Sequence, residues 1–271
     1  MIKLIAIDMD GTLLDSQKKL PQENIDAIQE AVAVGIKIVI CTGRSQAGVK
    51  PYFEQLGLHE EEYVILNNGC SLHETLNWST LYGKSLSHSD ILGLQSYVDD
   101  NLEVDMVLTT NKDYYFVGET PSKIAQADAD SVFTNLLPIE KDAISTIEEP
   151  VYNAMYMGTS KAIDAFQNKH EAEILEAYTG VRSQDLLYEV LPQHSNKATG
   201  LAELVKLLGL DPSQIMTIGD GNNDIEMLDF SGFAVAMENA SDAVKAHADK
   251  ITLRNDQAGV AYAIREFVLK S

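Results

Sequence analysis

The sequence predicts an α/β fold, a parallel-sheet core interrupted by an inserted α+β domain. Three observations carry that prediction. The first and last thirds of the chain alternate short apolar runs with amphipathic segments, the mark of βαβ units around a parallel sheet. The stretch from about 83 to 192 has a different texture, with a hairpin signal and strands and helices in mixed order. Most apolar runs of the outer thirds also end at a polar, glycine-containing cluster.

In chain order, Lys3–Asp8 reads as a buried strand. Ile25, Ile28 and Val32 recur at helical spacing after Pro21, and Gly35 ends that helix. Ile36–Cys41 is a second strand, followed by a helical stretch reaching Leu56-Gly57, and Tyr63–Leu66 is a third strand. Val104–Thr109 and Tyr114–Val117 flank the polar turn Asn111-Lys112-Asp113, which predicts an antiparallel hairpin. Helical stretches near 122–133 and 161–177 alternate with strand-like Tyr152–Met157 and Leu186–Val190, where Met155 and Met157 alternate as packing residues. Leu201, Leu204, Val205 and Leu208 mark one helix face that stops at Gly209. Ile215–Ile218, Phe233–Ala236 and Ile251–Leu253 complete the strands, with helices between and after them. The expected division is a discontinuous core, residues 1-82 and 193-271, and an insert over 83-192.

Composition excludes several classes. The 271 residues include 41 Asp plus Glu against 20 Lys plus Arg, a formal net charge of −21. So few cations disfavour nucleic acid and anionic membranes, whose binding depends on Lys and Arg displacing counterions. With 45% hydrophobic and 23% charged residues, the chain is neither disordered nor membrane-embedded. Cys41 and Cys70 cannot build a disulfide framework and lack metal-ligand spacing. The run Met1–Ile7 is too short for a signal-peptide core, and nothing later approaches a membrane span. A cytoplasmic protein with reduced thiols is expected, which leaves the sequon at Asn77 without consequence. His73, His88 and His194 read as surface or loop residues.

The polar clusters are Asp8-Met9-Asp10-Gly11-Thr12, Thr42-Gly43-Arg44, Asn67-Asn68-Gly69 and Gly219-Asp220-Gly221-Asn222-Asn223-Asp224. Any one of them could be a turn, since Asp, Asn and Gly populate turns for local reasons. Four at strand ends point to a site, because open parallel sheets bind ligands beyond the carboxyl ends of their strands. No G-x-G-x-x-G follows the first strand and no G-x-x-x-x-G-K-[ST] occurs, which weakens dinucleotide and P-loop readings. Asp8, Asp10, Asp220 and Asp224 are instead carboxylates that repel one another without a cation, and an all-oxygen set suits Mg²⁺. Such a metal also binds phosphate oxygens, alongside the Thr42 hydroxyl, backbone N–H groups and a lysine.

The clusters resemble the signature motifs of the haloacid dehalogenase (HAD) superfamily of phosphohydrolases. Asp8-Met9-Asp10-Gly11-Thr12 matches D-x-D-G-T, and Thr42-Gly43-Arg44 looks like the second motif. Lys197 fits the third, and Gly219 to Asp224 fits G-D-x-x-N-D. The order and the placement of the insert between motifs two and three are similar to Cof-type (YidA-like) sugar-phosphate phosphatases with a C2-type cap, over essentially the whole chain. The resemblance implies a Rossmann-like core and a cap. One departure is Ala198, where relatives usually carry glycine after the lysine.

By that resemblance Asp8 is the nucleophile, forming an aspartyl-phosphate, and Asp10 the general acid/base. Mg²⁺ would be bound by Asp8, the backbone carbonyl of Asp10 and Asp220, with Asp224 as ligand or support. Met9, Thr42, Gly43 and Lys197 would hold the phosphoryl group, and Asn223 would orient Lys197 or reach the phosphate. Arg44, Asn67 and Asn68 are candidate substrate contacts. The implied partner is a small-molecule phosphate monoester, with no nucleic acid and no membrane; the motifs set no oligomeric state. A phosphomutase using the same intermediate and a non-catalytic phospho-receiver or regulatory module are the competing readings. Receivers are small single domains without an insert, and Asp10 as acid/base argues against a long-lived phosphorylated state.

Overall fold

The computed structural model describes residues 1–98 and 102–270. Two compact units emerge: Met1–Gly43 with Pro51–Gly83 and Asn196–Ser271, and Arg44–Lys50 with Lys84–Ser195. Counted along the chain, the first unit contains β1 (Leu4–Asp8), β2 (Lys37–Cys41), β3 (Tyr63–Leu66), β4 (Ser71–Glu74) and β5 (Thr80–Gly83). The second contains β6 (Asp105–Thr109), β7 (Asp113–Val117), β8 (Asn135–Ile139), β9 (Asn153–Met157), β10 (Tyr178–Gln184) and β11 (Leu187–Pro192). The first unit then resumes with β12 (Ile215–Gly219), β13 (Phe233–Ala236) and β14 (Lys250–Ile251).

The first unit is a Rossmann-like α/β layer. Its sheet runs β14-β13-β12-β1-β2-β3-β4-β5. The six strands from β14 to β3 are parallel, and β4 and β5 extend the edge antiparallel. Every residue of β1 is buried, as a strand covered on both faces requires. Its neighbours β2 and β12 are in register with it, Asp8 opposite Cys41 and Ile7 opposite Ile218. Residues following β1, β2, β3 and β12 therefore leave the sheet at one edge.

Two polar residues fix the loops and helices around that sheet. Asn24, buried in the helix Gln22–Ala33, donates to the Leu13 carbonyl and accepts from the Ala261 N–H, each at 3.0 Å. Glu62, just before β3, is 1% exposed and accepts from the Ile38 N–H at 2.6 Å, with the Lys37 ammonium 3.6 Å away.

The second unit is α+β. Its sheet runs β10-β11-β9-β6-β7-β8, antiparallel except for the β7–β8 pair. The predicted hairpin is β6–β7. Alternation divides the sheet's residues between two faces. Met106, Leu108, Tyr156 and Val190 pack under the helices His88–Gln95 and Ser160–Ala177. Val107, Phe116, Met155 and Met157 pack on the other side with Ala125 and Ala129 of the helix Lys123–Ser131, so both methionines are core.

The structure adds strands that the pattern did not announce. β4 (Ser-Leu-His-Glu) is wholly buried yet polar, β8 contains Pro138, and β10 carries Gly180 and polar residues. His73 is a correction: it is fully buried in β4 rather than on a surface or in a loop. Hydroxyls make that tolerable, with Ser71 Oγ 3.0 Å from Nε2 and Thr80 Oγ1 3.3 Å from Nδ1. Burial holds its pKa below the usual imidazole range, which keeps the ring neutral. His88 and His194 are exposed. Among the described residues no helix is long and apolar enough to cross a membrane.

Burial pushes the Glu62 carboxyl up to about 7 from 4.5. The folded chain thus retains a proton that the unfolded chain has already lost, so stability falls as pH rises between those values and levels off above them. Glu62→Gln, measured by urea midpoints from pH 5 to 8, should remove this part of the slope. Curves for variant and parent that decline in parallel would show that Glu62 does not titrate there.

Candidate active site

The chain after β1 turns sharply, with Leu13 N–H donating to the Asp8 carbonyl and Leu14 N–H to the Met9 carbonyl. Gly11 has φ +85°, and a Cβ there would lie 2.4 Å from an Asp220 carboxylate oxygen, so the close approach of the two loops requires glycine. Thr12 Oγ1 donates to Asp220 Oδ1 at 2.7 Å, and Asn239 Nδ2 donates to Asp220 Oδ2 at 3.1 Å and to the Gly11 carbonyl at 2.9 Å. Asp10 points its carboxylate at Lys18, whose ammonium is 2.5 Å away.

Lys197 is the first residue of the helix Lys197–Leu208. Asn196 caps that helix by accepting from Thr199 N–H, and the Thr199 hydroxyl accepts from Asn196 N–H in return. The Lys197 ammonium donates to Asp8 Oδ1 at 2.5 Å and to Asp224 Oδ1 at 2.6 Å, with 1% of its side chain exposed. Asp224 Oδ2 accepts from the N–H groups of Asp220 and Gly221, both at 2.9 Å. Both Asp224 oxygens are thus engaged. This residue anchors the lysine.

Burial, and then the neighbouring Asp224, push the Asp8 carboxyl well above the usual range, against the pull of Lys197. Burial also raises Asp220, partly offset by the Thr12 hydroxyl. Burial works against the Lys197 ammonium too, but Asp224 and Asp8 outweigh it and hold its pKa above the ordinary lysine value. The Cys41 thiol, next to the site, is pushed up by burial and stays neutral.

Carboxylate oxygens of Asp8, Asp220 and Asp224 lie within 4.8 Å of one another. Ionised carboxylates so crowded repel one another unless a proton or a cation lies among them. Each carboxylate already has partners, Lys197 on Asp8, Thr12 and Asn239 on Asp220, and Lys197 and two amides on Asp224, but a carboxylate oxygen keeps a second lone pair, so the three together could hold a metal. The donors are all oxygen, which fits a hard divalent cation.

Thr42 is buried, with its N–H on the Ile65 carbonyl, and its own carbonyl accepts from Asn68 N–H. Asn223 Nδ2 donates to Asn68 Oδ1 at 3.0 Å, so orienting Lys197 falls to Asp8 and Asp224 instead. Asn67 and Asn68 are both 1% exposed. Arg44 groups with the second unit, buried, and donates to the Gly48 carbonyl. Met9 is fully buried. Sequence reasoning gave no part to Asn239, although it follows β13 at the same sheet edge that flagged the other clusters. Lys18 left no signal in the pattern.

A family profile for haloacid dehalogenase-like hydrolases matches residues 5–264, nearly the whole chain. The chain belongs to this family. Among its relatives, the "Putative phosphatase YxeH" of Bacillus subtilis is 33% identical, with 99% of each chain covered. The 5-amino-6-(5-phospho-D-ribitylamino)uracil phosphatase YcsE of Bacillus subtilis is also 33% identical, over 99% of this chain and 96% of the relative. A haloacid dehalogenase-like hydrolase from Bacteroides thetaiotaomicron has the same fold, with a TM-score of 0.88 at 26% identity over 98% of this chain and 99% of that one. In this HAD-like hydrolase, then, Asp8, Lys197, Asp220 and Asp224 form one connected polar cluster.

Lys197→Met should strand two buried carboxylates and cost about 3–5 kcal/mol of stability. Protonation of Asp8, whose carboxyl burial already pushes above the usual range, relieves the repulsion, so the deficit should shrink as pH falls. Urea midpoints at pH 5 and pH 8 measure both effects; a midpoint equal to the parent's at pH 8 would deny the lysine its structural part.

Proposed function

We propose that this hydrolase is a Mg²⁺-dependent phosphatase of small phosphorylated metabolites, working through an aspartyl-phosphate on Asp8. The observation that carries the reading is the Asp8 carboxylate: one oxygen is fixed by the Lys197 ammonium, and a carboxylate oxygen of Asp220 lies within 4.8 Å. Mg²⁺ held by Asp8, Asp220 and the Asp10 carbonyl would neutralise phosphoryl oxygens and offset repulsion between nucleophile and substrate.

Asp8 attacks phosphorus with its remaining oxygen, forming an O–P bond as the ester P–O bond breaks. Asp10 delivers its proton to the departing alkoxide, then takes one from the water that attacks the aspartyl-phosphate. Cleavage of the bond between the Asp8 oxygen and phosphorus releases inorganic phosphate, restores the Asp8 carboxylate and leaves Asp10 protonated for the next turnover. Met9, Thr42, Gly43 and Lys197 hold the phosphoryl oxygens. Lys18 steadies Asp10 between these proton transfers.

The substrate class we infer is a primary phosphate ester on a polyhydroxylated chain. Sugar phosphates and the ribityl phosphate named for one relative share that chemistry. The insert serves as the cap, over 83-192, and two buried cysteine thiols outside any disulfide fit a cytoplasmic setting.

A phosphate-release screen over sugar and sugar-alcohol phosphates with Mg²⁺ tests the reading directly. Asp8→Asn should lower turnover on the order of a thousandfold or more, and a variant retaining parental rates would remove the nucleophile assignment. Asp10→Asn should slow both half-reactions by roughly a hundredfold to ten-thousandfold; rapid burst formation with slow release alone would leave it only the second role. Dialysis against a chelator should stop turnover and added Mg²⁺ restore it, whereas hydrolysis indifferent to the chelator would contradict the metal. Isomer formation in place of phosphate release would identify a mutase.

A further inference from the structure

The turn after β3 has an unusual backbone. Asn67 and Asn68 both have φ +52° and Gly69 has φ +93°, three left-handed residues in succession. Asparagine tolerates that region better than other side chains, but two together store conformational strain that surrounding contacts must over-determine. Contacts of that kind are found within the first unit. The Asn67 amide donates to Ser71 Oγ at 3.3 Å, and Ser71 Oγ stands 3.0 Å from Nε2 of the buried His73.

Two residues of the turn touch different parts of the site. Asn68 N–H donates to the Thr42 carbonyl at 3.0 Å. Its side-chain amide lies so close to Gly43 that a Cβ there would be 3.0 Å from Nδ2. Its Oδ1 accepts from Asn223 Nδ2 at 3.0 Å. Gly69 abuts the start of the Lys197 helix, where a Cβ would fall 1.8 Å from the Asn196 carbonyl oxygen and 3.1 Å from the Lys197 nitrogen. One short turn thus meets Thr42-Gly43, the start of the Lys197 helix and Asn223 together.

We propose that Asn68 is a positioning residue of the phosphate site, acting through Thr42-Gly43 and Asn223 rather than by touching substrate. This places Asn68 outside the set of substrate contacts and makes the strained turn the element that fixes the spacing between the phosphoryl-holding groups. The inference rests on the phosphatase reading above. Strain suits that role, because a relaxed turn would let the three groups drift, and misplacement by about an ångström in such a site can cost on the order of a hundredfold in rate.

A double-mutant cycle on the full chain tests the proposal. Asn68→Gly keeps a residue at ease with positive φ and removes the side-chain acceptor; Asn223→Ala removes its donor. The readouts are the Kd for inorganic phosphate with Mg²⁺ by calorimetry, KM and kcat on any hydrolysed monoester, and Tm. Asn68→Gly should weaken phosphate binding about tenfold with Tm little changed, and should add much less than that in the Asn223→Ala background. Asn68→Asp keeps both the acceptor and the backbone preference, so its loss of affinity should be electrostatic and fade in high salt. Additive effects of Asn68→Gly and Asn223→Ala, a Kd for Asn68→Gly equal to the parent's, or a salt-independent loss in Asn68→Asp would overturn the proposal. A parent chain that binds no phosphate would overturn it as well. A parent that binds phosphate but hydrolyses no monoester would instead remove the proposed function and leave the positioning role standing.

Discussion

A lysine ammonium held out of water between two carboxylates is the interaction on which the rest of the core depends. Removing each ion from water costs several kcal/mol, and only close, well-directed partners repay it. Lys197 has those partners in Asp8 and Asp224, and Asp224 in turn takes two backbone amides. Three segments far apart in sequence are thereby tied together: the end of β1, the start of the Lys197–Leu208 helix, and the turn after β12. Each must be placed before the charges can be buried. Hence Asn196 caps the helix, Gly11 lets two loops touch, and Gly69 gives the helix start room.

Strand order explains why these segments meet. β1 lies between β2 and β12, with crossovers leaving in opposite directions, so their carboxyl ends open onto a common crevice. Hydrophobic burial sets the strands, and the crevice inherits their precision. The side chains that do not pack are those at the last position of a strand or just beyond it: Asp8, Thr42, Asp220. A site built on strand ends is held more tightly than one built on free loops. The loop after β1 is itself fastened, through Asn24, Asn239 and Asn255, to segments elsewhere in the unit.

The parallel strands were legible because burial on both faces leaves an uninterrupted apolar run, as in Leu4–Ile7 and Ile38–Ile40. β4, β8 and β10 were not, because their burial is achieved with hydroxyls and an imidazole, or is incomplete, or includes a proline. The clusters of the site were legible because they follow strand ends in chain order. What the pattern could not convey was the division of labour inside them. Asp224 is indistinguishable in sequence from a metal ligand or a helix-start acid, and its engagement depends on amides whose direction only the fold decides. His73 read as a surface residue because a hydroxyl-lined niche has no periodicity. Lys18 meets Asp10 through a left-handed backbone at φ +58°, which no spacing rule anticipates.

The net charge of −21 acquires a narrower meaning from this geometry. At physiological ionic strength charges are screened over about 8 Å, so the solvated acids of the surface exert little force on a ligand already at the crevice. What decides entry is the cluster itself. Three carboxylates against one ammonium leave two negative charges, and a phosphate dianion approaching that set meets repulsion at close range in a partly dehydrated crevice, where it is least screened. A divalent cation held by Asp8 and Asp220 would cancel the excess and offer the dianion a ligand. Under the proposed function the metal is therefore a condition of substrate binding as well as of chemistry, and the order of events follows from charge alone: cation first, phosphate second.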